Sequence, residues 1–209
     1  MTGVYLLGGG GHCKQVIDIL ENNDIKILGI FDDYKIKNDI FYGYKIIDTI
    51  ENLELYMKEN INLFCTIGDN KIRETIYNKY KKYNFINCIS KKSNISKSVK
   101  IIGTNNYIGD FTNILADTII GSNNIINTNS NIAHDVIIRD NNHICPSSVL
   151  GGSVIIGSNN LIGTNATINP KITIGNNSII GSGSVIIRNV LDNLTIVGNP
   201  GKVLKINSN

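Results

Sequence analysis

The chain of 209 residues carries little net charge, only three histidines and four cysteines, and no long apolar run. A formal charge of +3 creates no extended basic or acidic field. Neither nucleic acid nor an anionic membrane is therefore expected as a partner. No apolar stretch reaches the roughly 20 residues that span a bilayer, so no membrane insertion is expected. The N-terminus lacks a basic segment followed by a signal-like apolar region. Met1-Thr2-Gly3-Val4-Tyr5 instead leads directly into a short buried strand. Cys13, Cys65, Cys88 and Cys145 form no C-x-x-C pair and no cluster with histidine. That pattern fits reduced thiols in a cytoplasmic protein. Of the histidines, His134 and His143 are nine apart and His12 belongs to the other half of the chain. A three-imidazole zinc centre is not expected, and no metal is required.

What the chain has in abundance is rhythm. Every sixth residue from Ile102 to Ile186 is aliphatic, fifteen steps without a gap. With 42% of residues apolar, chance would give such a run about twice in a million trials, so the pattern marks a repeat architecture. Glycine follows the aliphatic residue in eight of the fifteen steps. A period of six matches neither a helix nor a simple amphipathic strand. It matches a triangular solenoid, three short strands to a coil, with each aliphatic side chain pointing inward. One coil is then eighteen residues, and residue n lies beneath residue n+18. Paired asparagines at 105–106, 123–124, 141–142, 159–160 and 176–177 are expected at corners, because asparagine tolerates left-handed backbone.

Residues 1–88 follow a different pattern. Short apolar runs at 4–7, 25–31 and 63–67 alternate with helical spacing around Val16–Leu20 and over 72–83. This predicts a small α/β, Rossmann-like domain with a doubly wound parallel sheet. Residues 89–209 form the second domain, an all-β solenoid; Ile95 and Ile101 sit one residue out of phase, as an entry coil would.

Two places carry chemistry. His134 occupies a non-core position of its hexapeptide and is followed by Asp135, a carboxylate able to orient the ring and raise its basicity. Eighteen residues on lies Gly152, whose N–H, free of any side chain, suits a developing oxyanion. Equally, Gly152 could serve only as a tight corner. In the first domain, Gly8-Gly9-Gly10-Gly11-His12 joins a strand to a helix, where bare N–H groups bind phosphate. The glycine spacing starts as G-x-G, but Cys13 holds the third glycine slot. Asp32-Asp33 ends the second strand, where a ribose-binding acid would stand. The sheet is too short for a full NAD domain, which leaves a nucleotide carrying a substrate group as the expected ligand.

Taken together these marks resemble a known family. The repeat looks like the left-handed parallel β-helix of hexapeptide acyltransferases. The whole chain resembles the sialic acid O-acetyltransferase and UDP-4-amino-sugar N-acetyltransferase group. The resemblance is carried by Gly10-Gly11-His12, Phe31-Asp32-Asp33, Ile67-Gly68-Asp69-Asn70-Lys71-Ile72-Arg73, Asn127, His134-Asp135, His143, Gly151-Gly152 and Gly198-Asn199-Pro200-Gly201-Lys202. It implies a homotrimer with acetyl-CoA between adjacent solenoids, and His134 as general base with Asp135 behind it. It implies that His143, Gly152, Thr164 and Ser182 line acetyl-CoA. Gly10, Gly11, His12, Asp32, Asp33, Gly68 and Asn127 are implied on the side of a nucleotide-linked 4-amino-4,6-dideoxy sugar. Transfer would be direct, with no acyl-enzyme, and Cys145 would be a packing residue. Sialic acid O-acetylation is the rival reading; UDP, dTDP and GDP remain alternatives for the nucleotide. A γ-type carbonic anhydrase or a non-catalytic solenoid fits the residues less well.

Overall fold

A computed structural model describes residues 3–58 and 61–207. Contacts divide the chain into two compact units, residues 1–91 and 92–209.

In the first unit β1 (Gly3–Leu7), α1 (Gly11–Asn22), β2 (Ile27–Phe31), β3 (Ile40–Phe41), β4 (Tyr44–Asp48), β5 (Ile61–Cys65) and α2 (Asn70–Tyr80) follow in order, with a 3-10 helix at Ile50–Leu55. The sheet runs β3-β4-β2-β1-β5. β1 pairs in parallel with β2 and β5, and β2 with β4. β3 is an antiparallel edge. Val4, Leu6 and Leu7 are fully buried, as a central parallel strand requires. Leu7, Phe31, Leu53, Leu63, Cys65 and Tyr80 share one core cluster. The second strand starts later than its apolar run, because Asp24 turns with φ +59° and the Ile25 N–H still bonds to Leu20. α2 starts earlier than its apolar spacing, because Asp69 caps it by accepting from the Ile72 N–H at 2.9 Å. The β3–β4 hairpin and the 3-10 helix were not legible in sequence: Ile36, Ile40 and Leu55 there are exposed and set up no periodic pattern.

The second unit is a β-helix of two-residue strands, three to a coil. The ladders run Ile108-Ile126-Ile144-Ile162-Ile180, Ile114-Ile132-Leu150-Ile168-Ile186 and Ile120-Ile138-Ile156-Ile174. None of these side chains is more than 2% exposed. The six-residue rule holds from Ile108, not from Ile102. Ile102 is 74% exposed, and Ile101 takes the inward place opposite Ile120. The entry coil contains one residue more than the others, so the phase slips between Ile101 and Ile108.

Asn105, Asn123, Asn141, Asn159 and Asn177 all turn corners with φ between 54° and 63°. Their side-chain amides link coil to coil at 2.6, 2.7, 2.8 and 3.2 Å. The second members Asn106, Asn142 and Asn160 point inward and donate to the carbonyls of Gly121, Gly157 and Gly175. In the last pair the corner residue is the second asparagine, and Ser178 fills the inner place. The chain closes with an antiparallel hairpin, Leu194–Val197 against Lys202–Ile206.

Ile156 lies mid-solenoid and is fully buried. Ile156→Ala should destabilise the protein by about 2–5 kcal/mol, measured by urea unfolding; a loss under about 0.5 kcal/mol, typical of a surface change, would contradict an inward-facing row.

Candidate active site

Residues eighteen apart stack along three corners of the prism. One corner carries His134, Gly152 and Pro170; a second carries Thr128, Pro146, Thr164 and Ser182; a third carries Ser122, Asp140, Ser158 and Asn176. The third corner is self-capped: the N–H groups of Ser122, Ser158 and Asn176 donate to the side chains of Asp140, Asn176 and Asp192 at 2.7–2.8 Å. The first corner has no such cap, since Pro170 above Gly152 has no side-chain acceptor. The Gly152 N–H makes no hydrogen bond among the described residues.

His134 stands on that corner with its ring more than half exposed. Its Nδ1 lies 2.6 Å from Asp135 Oδ2. With the Nδ1 proton donated to the carboxylate, Nε2 is left as the acceptor. Asp135 is brought there by the turn itself, at φ +59°. Gly152 is not glycine for the sake of the turn. The left-handed place in its coil belongs to Ser153, at φ +58°. A Cβ on Gly152 would instead lie 2.8 Å from both Cε1 and Nε2 of His134. The missing side chain is therefore space for the imidazole. Gly151 has a separate reason, since its Cβ would meet the Pro170 backbone nitrogen at 2.7 Å.

The other solenoid residues lie elsewhere. His143 is half-buried on a strand, with Nε2 3.4 Å from Asn127 Nδ2. The Asn127 N–H donates to Ile144 O at 2.9 Å, and its Oδ1 accepts from the Thr128 N–H at 2.8 Å. Both lead into the second corner, where Thr164 and Ser182 are exposed. Within one chain His134 and Gly152 are thus separated from Asn127, His143, Thr164 and Ser182 by a side of the prism, on the order of 20 Å for six extended residues. Cys145, next to the second corner, is pushed up to about 11 by burial and is a thiol at neutral pH.

In the first unit the glycine turn is built around Asp32. Gly9 N–H donates to Asp32 Oδ2 at 2.6 Å and Tyr34 N–H to Oδ1 at 2.9 Å. Gly8 turns at φ +108°, and its carbonyl accepts from the Thr66 hydroxyl. Gly10 and Gly11, at the start of α1, have open space where a Cβ would point, as does Gly68. Asp33 accepts from the Ile50 N–H at 2.8 Å and so starts the 3-10 helix. His12 is lowered to about 4, mainly by burial and further by the charge of Arg73, and is neutral at pH 7. Arg73 ends the Ile67–Arg73 motif, but its burial was not legible in the sequence, because an arginine on a helix reads as outward. It is 1% exposed. It donates to the Gly68 carbonyl at 2.9 Å and to Asn70 Oδ1 at 2.8 Å, fixing the loop before α2. Burial lowers it to about 10, still charged at neutral pH. Among the described residues no group of three histidine, cysteine or acidic side chains is placed to hold a metal.

Comparison with known proteins follows the same division. The PglD N-terminal domain matches residues 3–80, and bacterial transferase hexapeptide (six repeats) matches 117–152 and 153–188. The structure of PerB from Caulobacter crescentus in complex with CoA and GDP-perosamine is 30% identical, with a TM-score of 0.92 over 97% of both chains. Two other structures of that perosamine N-acetyltransferase carry a histidine replaced by asparagine or alanine, again with CoA and GDP-perosamine. The acetyltransferase domain of PglB from Neisseria gonorrhoeae in complex with acetyl coenzyme A is 26% identical, with a TM-score of 0.92 over 97% of this chain and 99% of that one. An uncharacterized protein, L142, of Acanthamoeba polyphaga mimivirus is 49% identical over 115 residues. These are 55% of this chain, which spans only 23% of the viral protein. Its 30% identity over 97% of both chains to the perosamine N-acetyltransferase, with hexapeptide repeats following a PglD-type domain, places this chain in the hexapeptide-repeat acyltransferase family.

Proposed function

We propose that the protein transfers the acetyl group of acetyl-CoA to the amine of a nucleotide-linked 4-amino-4,6-dideoxy sugar. The observation that carries this reading is His134, oriented by Asp135, against the uncapped Gly152 N–H on an exposed corner. The uncharged amine attacks the thioester carbonyl, forming the C–N bond. Its proton passes to His134 Nε2, the nitrogen left free by the Asp135 contact. The negative charge that collects on the carbonyl oxygen is met by the Gly152 N–H. The C–S bond then breaks, and the CoA sulfur leaves with the proton returned by His134. Holding both substrates together makes an acyl-enzyme unnecessary, and Cys145 lacks the thiolate such a step would use.

The first unit holds the acceptor: Gly10, Gly11 and Gly68 have open space beside them, Asp32 holds the glycine turn, neutral His12 follows it at the start of α1, and Asp33 stands after the second strand, bonded to the Ile50 N–H. His143, Asn127, Thr164 and Ser182 belong with acetyl-CoA or with the sugar close to it. Since they stand on a different corner from His134, a complete site needs two copies of the chain. A closed ring in which the first corner of one copy faces the second corner of the next supplies one such site per interface, and the homotrimer that the family resemblance implies would hold three. The stacked, half-exposed Ile119, Ile137 and Ile155 add an apolar stripe suited to such packing. Both substrates are products of intracellular metabolism, which places the reaction in the cytoplasm, where the sugar would enter glycan synthesis.

Incubation with acetyl-CoA and UDP-, dTDP- or GDP-linked 4-amino sugars should release thiol and give an N-acetylated product by mass spectrometry. Acetylation of sialic acid alone would overturn the reading in favour of O-transfer. His134→Ala should lower kcat by about 10²–10⁴-fold; the ring is more than half exposed, so the variant should keep the wild-type circular dichroism spectrum. Gly152→Ala should displace the ring and cost about 10²-fold in turnover, with little effect on unfolding. His134→Ala and Ser182→Trp should each be inactive alone, and a co-expressed mixture should regain activity in trimers seen by native mass spectrometry. A mixture as inactive as its parents would mean that each chain carries its own complete site.

A further inference from the structure

We infer that Phe111 is a specificity residue: its ring, with Leu115 of the neighbouring copy, forms an apolar wall against the deoxygenated C6 of the acceptor sugar. The wall rests on the acetyltransferase reading above and on its two-copy site, and it separates a 6-deoxy sugar from the 6-hydroxy counterpart.

Phe111 is out of place on structural grounds. It turns its corner at φ +57°, a conformation that strains a bulky side chain. The other described left-handed places in the solenoid hold asparagine, aspartate, serine, lysine or glycine. The ring does not fill the core, since it is 59% exposed. The corner closes without it: the Asn129 N–H donates to Asp110 O at 2.9 Å, and the Thr112 hydroxyl donates to Asn127 O at 3.2 Å. Lys92 holds the segment from outside, with Nζ 2.9 Å from Asp110 Oδ2 and 5.8 Å from the centroid of the Phe111 ring. Strain kept where packing does not need it points to a ligand.

Height along the solenoid says which ligand. Phe111, Asn129, Ser147, Asn165 and Gly183 form one column on the second corner, beside Thr128, Pro146, Thr164 and Ser182. Facing corners run side by side, so the coil of Thr128 in one copy meets the coil of His134 in the next. Acetyl-CoA runs from that level toward Thr164 and Ser182. The acceptor must therefore reach the thioester from the other side, one coil lower, a step of about 4.8 Å. That is the level of Phe111. The opposite wall changes character at the same height. Leu115, 40% exposed, lies one coil below Ala133 and two below Gly151. Above this level both columns are small or polar: Asn129 and Ser147 on one, Ala133 and Gly151 on the other. At it, both present a large apolar side chain. In the sugar, C6 hangs from C5, next to the C4 that bears the amine. A methyl at C6 fits the wall, whereas a hydroxymethyl would bury a hydroxyl without a partner.

The test compares kcat/KM for two acceptors that differ only at C6, a nucleotide-linked 4-amino-4,6-dideoxy sugar and the matching 4-amino-4-deoxy sugar with its 6-hydroxyl, each offered with UDP, dTDP and GDP. The wild type should prefer the 6-deoxy acceptor by about 10²-fold. Phe111→Gly should lose about tenfold or more of that preference. Because glycine takes φ +57° without strain, the variant should unfold in urea no earlier than the wild type and keep the wild-type oligomer in native mass spectrometry. Leu115→Ala should shift the preference in the same direction. A Phe111→Gly enzyme with the wild-type preference would overturn the wall and leave the acetyltransferase reading intact, as would a wild type indifferent to C6. A variant that falls apart into single chains would make the ring an interface residue and overturn the wall as well. A wild type that acetylates neither acceptor with any of the three nucleotides would instead remove the reading on which the wall depends.

Discussion

The backbone ladder from each coil to the next, eighteen residues along, is the constraint on which everything else rests. Bonds such as Ser153 N–H to His134 O at 3.0 Å and Lys171 N–H to Gly152 O at 2.9 Å fix which residues meet at a corner. The interior cannot slip by a residue, because a slip would turn a row of isoleucines out to solvent and expose several side chains at once. A site on such a scaffold inherits its rigidity: the spacing of His134 and Gly152 is set by the same bonds that hold the core.

Rigidity explains why so few residues suffice. The three corners have the same backbone yet differ chemically. Where asparagine, aspartate and serine recur, each N–H is capped from the coil above, and the corner is inert. Where glycine and proline follow a histidine, the caps are missing and a donor and an acceptor are left side by side. On the function proposed above, catalysis uses a local omission from a structural pattern, placed next to an imidazole whose other nitrogen is already engaged.

Much of this was legible in the sequence because it depends on periodicity. The stacking of Gly152 on His134, the corner asparagines and the inward rows from Ile108 follow from counting by six and eighteen. The limits are equally physical. Ile102 continues the count but faces solvent, since one extra residue in the entry coil shifts the phase and apolarity alone does not record it. The division of His134 and His143 between corners is a three-dimensional fact that the list of matching motifs does not contain. Asp32 reads as a ribose acid from its place after a strand, whereas its oxygens first hold the glycine turn. The burial of Arg73 is not legible from its motif, because it depends on carbonyls of the preceding loop, not on any spacing in its helix.

The most direct measurement is the protonation of the His134 ring itself. With only three histidines in the chain, its two nitrogens can be assigned by nitrogen-15 NMR with His12 and His143 substituted in turn. In its neutral form the ring should carry its proton on Nδ1, toward Asp135, and leave Nε2 bare beside Gly152. A neutral ring protonated on Nε2 would have no lone pair facing the reacting amine and would contradict the role given to His134.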